Sequence, residues 1–330
     1  MKLGIIGSGM IVKELLSIAG FLKDVELTAI CGTMKSQEKV EGLKQEYGIK
    51  QTVYSYEELL ALDLDAVYIG LPNHLHFEFA QKALLANKNV IVEKPFTVNA
   101  KEAEALCNLA KEKNVFLFEA ITNQYLPNYR KIKEILPSIG KVKIVQCNYS
   151  QYSSRYDKFK AGVVLPAFNP EFAGGALMDL NIYNIHFVAG LFGRPENVEY
   201  YPNLERGIDT SGVVIMDYGA FKCVCIAAKD CKAPIANNIQ GDNGCIYQDN
   251  PTNVCEGFEL LLNDGSVQKV NENMYEHRMV HEFIEFFDLI KKGDRKQCYD
   301  MLAHSLLVSE IQTAARAMSG IVFPNDEKLK

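Results

Sequence analysis

Hydrophobic positions follow two regimes along the chain. From Leu3 to Ala120, short apolar runs alternate with stretches of helical spacing. Leu3 to Ile6 is an apolar strand. Gly7-Ser8-Gly9 follows, and Met10 to Leu16 takes up helical spacing. Val25 to Cys31 is a second strand, and the helix after it ends at Tyr47-Gly48. Ser55-x-x-Glu58 has the form of a capping box before a short helix. Asp65 to Leu71 is a strand that runs into Pro72-Asn73-His74-Leu75-His76, with a helix continuing through Leu85. Asn89 to Val92 delivers Glu93-Lys94-Pro95. Asn99-x-x-Glu102 opens another helix, and Val115 to Phe118 is a strand ending at Glu119-Ala120. Strand and helix in unbroken alternation predict an α/β, doubly wound parallel sheet over residues 1–121.

Past Pro127 the alternation stops, and residues 122–330 form a second domain. Asn128 to Ile135 reads as a helix and Val142 to Tyr149 as a strand. A polar stretch with Gly and Pro, Ser150 to Ala173, precedes a helix from Gly175 to Gly190. Val213 to Asp217 and Phe221 to Ala227 predict a hairpin around Tyr218-Gly219. Leu260 to Asn263 turns at Asp264-Gly265 into Val267 to Val270. Met279, Phe283, Phe286, Phe287 and Ile290 mark an amphipathic helix closed by Lys291-Lys292-Gly293, and a final helix covers Leu302 to Met318.

Polar residues gather where the predicted parallel strands end, the rim at which such sheets bind ligands. Strand, glycine turn and helix are the context of a dinucleotide fingerprint. Gly7 allows the tight turn, and Gly9 lets backbone approach a pyrophosphate. Ser8, Met10 and Ile11 complete that turn, with the charge resting on the helix N-terminus. The third fingerprint position is Val12 rather than Gly or Ala, so the match is incomplete. At the end of the second strand, Cys31-Gly32-Thr33-Met34-Lys35-Ser36 lacks the carboxylate that would hold a ribose. Thr33, Lys35 and Ser36, beside Gly32, offer donors and no repulsion where a 2′-phosphate would lie, which tilts the cofactor from NAD towards NADP. Leu71, Pro72, Asn73 and His76 stand at another strand end, and Glu93, Lys94 and Pro95 at a third. The helix from Gly175 has one carboxylate, Asp179, and no Lys or Arg occurs between Phe172 and Arg194. Met178, Ile182, Ile185 and Ala189 share one face, with Asp179, Tyr183 and His186 on the neighbouring one. A buried carboxylate there needs a cation from elsewhere, and Lys94 is the economical partner. The competing reading makes Tyr183 and His186 satisfied core residues and Asp179 a backbone cap.

Composition narrows the function classes. The chain is 48% hydrophobic and 23% charged, ordinary for a globular enzyme. A net charge of -6 with no basic run argues against a nucleic-acid partner. No apolar segment approaches bilayer length, and Met1 to Gly7 reads as the first strand rather than a leader. The nine cysteines are scattered, with no C-x-x-C and no histidine at zinc spacing, so no metal is expected. Cys223 and Cys225 share one strand face as small buried hydrophobes. A reducing, cytoplasmic location follows.

Several of these stretches, in their order and spacing, resemble the glucose–fructose oxidoreductase, inositol dehydrogenase and MocA (Gfo/Idh/MocA) family. They are Gly4-Ile5-Ile6-Gly7-Ser8-Gly9-Met10-Ile11, Pro72-Asn73-x-x-His76, Glu93-Lys94-Pro95, Glu119-Ala120 followed by Pro127, and Gly174-Gly175-Ala-Leu-Met-Asp179-x-x-x-Tyr183. The resemblance covers the whole chain. It implies a Rossmann domain followed by an α+β domain on a large, mostly antiparallel sheet. It also implies an NAD(P)-dependent dehydrogenase or reductase of sugars, polyols or related diols, with Lys94 catalytic and a cis bond before Pro95. Tyr183 occupies the family's substrate-side Tyr or His position, and His186 is assigned to substrate contact. In the expected reaction Lys94 and Tyr183 bind the reacting oxygen, either of them carrying the proton, while Asp179 orients the pair. The alternative is a regulator of the same fold that binds dinucleotide without turning it over. Large antiparallel sheets commonly pack face to face, so a homo-oligomer, dimer or tetramer, is expected.

Overall fold

The computed structural model describes residues 1–327. The first regime builds a six-stranded parallel sheet from β1 (Lys2–Ile6), β2 (Glu26–Cys31), β3 (Gln51–Val53), β4 (Ala66–Ile69), β5 (Asn89–Glu93) and β6 (Leu117–Ala120). Their spatial order is β3-β2-β1-β4-β5-β6. Helices α1 (Met10–Ser17), α2 (Gln37–Tyr47), α3 (Tyr56–Ala61), α4 (His76–Leu85) and α5 (Ala100–Lys113) connect them. The order reverses between β1 and β4, which opens a crevice beyond their carboxyl ends, the usual ligand position in such sheets. Both side-chain N-caps form: the Glu58 amide donates to Ser55 Oγ at 3.3 Å and the Glu102 amide to Asn99 Oδ1 at 3.0 Å. This is the expected Rossmann sheet.

The second regime begins with α6 (Pro127–Ile135) and α7 (Tyr156–Lys160). A π-helical turn, Leu177–Asn181, then leads into α8 (Ile182–Phe192). Its eight-stranded sheet comprises β7 (Val142–Ser150), β8 (Asn197–Glu205), β9 (Ile208–Asp217), β10 (Lys222–Ala228), β11 (Asn237–Gly241), β12 (Gly244–Gln248), β13 (Phe258–Leu262) and β14 (Val267–Val270). The order is β14-β13-β12-β11-β7-β10-β9-β8, and every pairing is antiparallel except β7 with β10. Val145, Cys147, Val214, Met216, Cys223 and Cys225 form the buried face of this sheet, and α8 packs against β7 and β10.

The chain ends with α9 (Met279–Lys292) and α10 (Arg295–Ser319). They divide between two compact units. One compact unit is Met1–Ala120 together with Met279–Leu306; the other is Ile121–Arg278 with the chain from Leu307 onward. The reason is aromatic packing. Phe283 meets Tyr68 with ring centroids 5.6 Å apart, and Phe286 stacks on Phe118 at 4.6 Å. Each buried phenyl contributes roughly 1.5–3 kcal/mol, so α9 belongs with the parallel sheet. The last three residues of the expected 122–330 domain lie outside the described residues.

Candidate active site

In the first unit the crevice is shaped by glycines with different tasks. Gly7 has φ +112, and a Cβ there would lie 2.3 Å from the Gly70 carbonyl oxygen, so only glycine lets β1 and β4 close up. Val12 fills the space beside them. A Cβ on Gly70 would meet Val12 Cγ2 at 2.7 Å, which explains a bulky residue at the third fingerprint position. Gly9 differs, since a Cβ there would meet nothing within 4 Å. It caps α1 without a side chain, and no acidic residue stands in the first turn. A helix start with neither a side-chain cap nor a carboxylate, beside Ser8, Met10 and Ile11, fits a pyrophosphate.

At the end of β2, Thr33 and Lys35 are exposed on a short helical turn, Met34–Ser36. The Thr33 amide donates to Ser36 Oγ at 2.9 Å, so Ser36 shapes the turn. Gly32 is constrained as well: its Cβ would lie 2.7 Å from Val40 Cγ1. The turn thus carries two exposed donor side chains, Thr33 and Lys35, and no carboxylate.

The segment after β5 is held by buried carboxylates. The Lys94–Pro95 peptide is cis, as the resemblance implied. Alternate amides each donate to a different buried carboxylate: Lys94 to Glu93 Oε2 at 3.2 Å, Phe96 to Glu119 Oε1 at 2.8 Å and Val98 to Glu102 Oε2 at 3.0 Å. Such charge-assisted bonds are roughly twice as strong as neutral ones. Lys94 itself is half-buried. Glu93, expected at the cofactor, has its side chain sealed inside. Its other oxygen accepts from Tyr68 Oη at 2.7 Å, and burial followed by that carboxylate pushes the phenol far above its ordinary pKa. His76 is sealed likewise. Nδ1 lies 2.8 Å from the Pro95 carbonyl oxygen and Nε2 2.8 Å from that of Leu71. Burial lowers its pKa, so the ring is neutral near pH 7 and donates to one carbonyl only. Both side chains shape the rim, leaving half-buried Leu71 and Asn73 and exposed Pro72 on it.

In the second unit, the helix expected from Gly175 starts as the π-helical turn, with Asp179 at its centre. π turns inside helices are rare and concentrate at functional positions. Gly175 sets the entry: φ is +106, and a Cβ would collide with Asp209 Oδ1 at 2.0 Å. Asp209 Oδ2 accepts from the Leu177 amide and Tyr200 Oη, both at 2.7 Å. Asn181 and Asn184 tie the helix to the β10 carbonyls of Cys225 and Ile226, each at 3.0 Å. Tyr183 is buried beside Tyr149, ring centroids 6.1 Å apart.

Two of the expected residues have further partners here. The Asp179 side chain is 34% exposed, and within its unit Lys229 stands beside it, with Nζ 2.8 Å from Oδ2. Lys229 follows the apolar run Cys223 to Ala228 as Lys94 follows Val90 to Val92, so the same signal was available. His186, expected to touch substrate, is fully buried and its carbonyl accepts from Gln124 Nε2 at 2.9 Å. Among the described residues no His, Cys, Asp and Glu group is arranged to hold a metal ion.

Comparison with known proteins agrees with this construction. A family model described as an oxidoreductase family with an NAD-binding Rossmann fold matches residues 1–121, and the GFO/IDH/MocA C-terminal domain matches 129–247. The chain is 35% identical over 329 residues to scyllo-inositol 2-dehydrogenase (NADP(+)) IolU of Bacillus subtilis, covering 99% of both chains. It is 28% identical to D-xylose 1-dehydrogenase (NADP(+)) of Hypocrea jecorina, covering 91% of this chain and 85% of that one. A solved levoglucosan dehydrogenase, in complex with NADH and levoglucosan, superposes with a TM-score of 0.84 at 18% identity over 97% of each chain, a likeness of fold. The chain belongs to the Gfo/Idh/MocA family of NAD(P)-dependent oxidoreductases.

Proposed function

We propose that this oxidoreductase moves a hydride between nicotinamide and the carbon bearing a secondary hydroxyl or carbonyl of a sugar, polyol or related diol, with NADP the preferred cofactor. The cofactor, when bound, supplies the hydride chemistry. The chain's own residues do the rest. Gly7 to Ile11 cradle the pyrophosphate, and Thr33 and Lys35 take the 2′-phosphate. Lys94 and Tyr183 bind the reacting oxygen, one of them passing the proton, while Asp179 orients them. The observation that carries this reading is the fastening of residues 93–99: three buried carboxylates fix the backbone that presents one half-buried lysine. An idle lysine needs no such support. The polyol and sugar named for the two NADP(+)-dependent relatives favour the same substrate class.

Two coarser expectations go with it. Nine free thiols suit a reducing compartment such as the cytoplasm. The outer face of the eight-stranded sheet, with Ile144, Val213, Ile215, Val224 and Ile226 uncovered or partly so, suits pairing with a second copy; light scattering tests this.

The decisive experiment offers NADP and NAD with scyllo-inositol, D-xylose and levoglucosan, and the reduced cofactors with the corresponding carbonyl compounds. Turnover of one pair is expected. Lys94→Ala and Tyr183→Phe should then cut kcat far more than they weaken dinucleotide binding. Equal loss of both quantities, or no turnover anywhere, contradicts the proposal.

A further inference from the structure

We propose that Lys229 is a positioning residue of this reaction: it clamps the Asp179 carboxylate, fixes the π-helical turn that carries it and cancels its charge. The inference rests on the reading that Asp179 serves the reacting oxygen. Lys229 directly follows β10, and its side chain is 2% exposed. Nζ donates to Asp179 Oδ2 at 2.8 Å and to the Ala167 carbonyl oxygen at 2.6 Å, and lies 4.6 Å from the centre of the Phe168 ring. An ammonium ion taken out of water costs several kcal/mol unless its surroundings replace the lost hydration. Here a carboxylate, a carbonyl and an aromatic face do so. The pair is asymmetric, with the cation sealed and the carboxylate still one-third open.

The other acidic groups around the ammonium are already engaged. Asp209, fully buried on β9, accepts from the Leu177 amide and Tyr200 Oη. Asp230 Oδ2 accepts from Thr210 Oγ1 at 2.7 Å and Ser211 Oγ at 2.8 Å. Asp179 alone forms a direct ion pair with Lys229 among these three. The second ligand of Lys229 lies in the segment Ser150 to Ala173. Gly174 keeps that segment against the helix entry, since a Cβ there would lie 2.6 Å from the Pro166 carbonyl oxygen. One ammonium thus joins three things: the end of β10, the segment ahead of the helix, and the carboxylate at the centre of the π-helical turn.

This has a consequence for proton transfer. An uncompensated Asp179 carboxylate would raise the pKa of a neighbouring lysine or phenol and hold its proton. Compensation by Lys229 removes that effect while keeping a polar anchor for the reacting groups.

The test compares Lys229→Met, Lys229→Arg, Asp179→Asn and the double variant Lys229→Met/Asp179→Asn, using the compound from the panel above that is turned over fastest. Lys229→Met should lower kcat by up to about 10²-fold, the scale of a misplaced group, and leave the dinucleotide Kd unchanged. The apparent pKa in its pH–kcat profile should rise by roughly one unit. In the double variant the profile should return to that of Asp179→Asn alone, and Lys229→Arg should keep the wild-type apparent pKa. A fall in kcat with an unmoved profile and additive double-variant losses would overturn the proposal, because a merely structural lysine behaves that way. If Lys229→Met does not fold, the double variant and Lys229→Arg decide alone: a pKa differing from that of Asp179→Asn or wild type, respectively, overturns it. Wild-type kcat and profile in Asp179→Asn would instead defeat the reading of Asp179 on which the inference rests.

Discussion

His76 Nδ1 stands 2.8 Å from the Pro95 carbonyl oxygen, so the first residue of α4 fastens the segment that presents Lys94. Burial lowers the pKa of this imidazole from its ordinary 6.5. Between the lowered value and 6.5 the folded chain therefore binds fewer protons than the unfolded chain. Stability is intact above pH 6.5 and is lost as the pH falls through that window, by at most about 1.4 kcal/mol per pH unit. Thermal unfolding from about pH 7 to 5 should show a steeper loss of Tm for the wild type than for His76→Gln.

Gly7 and Gly9 should separate folding from cofactor binding. Gly7→Ala places a Cβ against the Gly70 carbonyl at a positive φ and should cost more than about 1 kcal/mol, together with dinucleotide affinity. Gly9→Ala meets only open space and should leave Tm unchanged while weakening dinucleotide binding, as read by fluorescence titration. Unchanged affinity in Gly9→Ala would remove the pyrophosphate from that turn.

Glu119→Ala should leave the buried Phe96 amide without its carboxylate acceptor, at a cost of about 1–3 kcal/mol in urea unfolding. Glu119→Gln keeps an acceptor oxygen and should lose less. Equal losses would show that charge rather than the hydrogen bond fastens the segment.

At the end of β2, Lys35→Ala should weaken NADP binding by about tenfold, roughly 1.4 kcal/mol, with little change for NAD. Thr33→Asp adds a carboxylate beside the 2′-position and should invert the preference. Equal effects on both cofactors would place the 2′-phosphate elsewhere.

The parallel sheet was legible because each of its elements announces itself locally. Ser55 and Asn99 cap their helices through their own side chains, and the runs at Leu3, Val67 and Val90 are too apolar for anything but central strands. What depends on tertiary pairing was hidden. The first turn of α10 begins at Arg295, ahead of the expected Leu302, because Asp294 Oδ1 accepts the Gln297 amide at 3.0 Å; that capping pattern sits in a charged stretch with no apolar period. The hairpin β11–β12 turns through Asp242-Asn243 between short strands whose alternate residues are polar. Residue types and order single out Lys94, Asp179 and Tyr183 as candidates, but not how deeply each is covered. The sealed positions of His76, Glu93 and His186 follow from neighbours distant in sequence, and so does the pairing of Asp179 with Lys229.

The return of α9 to the parallel sheet has a consequence for biosynthesis. The covering for Tyr68 and Phe118 is encoded after the whole eight-stranded sheet, so the front of the chain leaves the ribosome with those rings bare. Its maturation has to wait until Met279–Leu306 has been translated. A fragment ending at Ala120 should therefore bind hydrophobic dyes and chaperones that the finished protein does not.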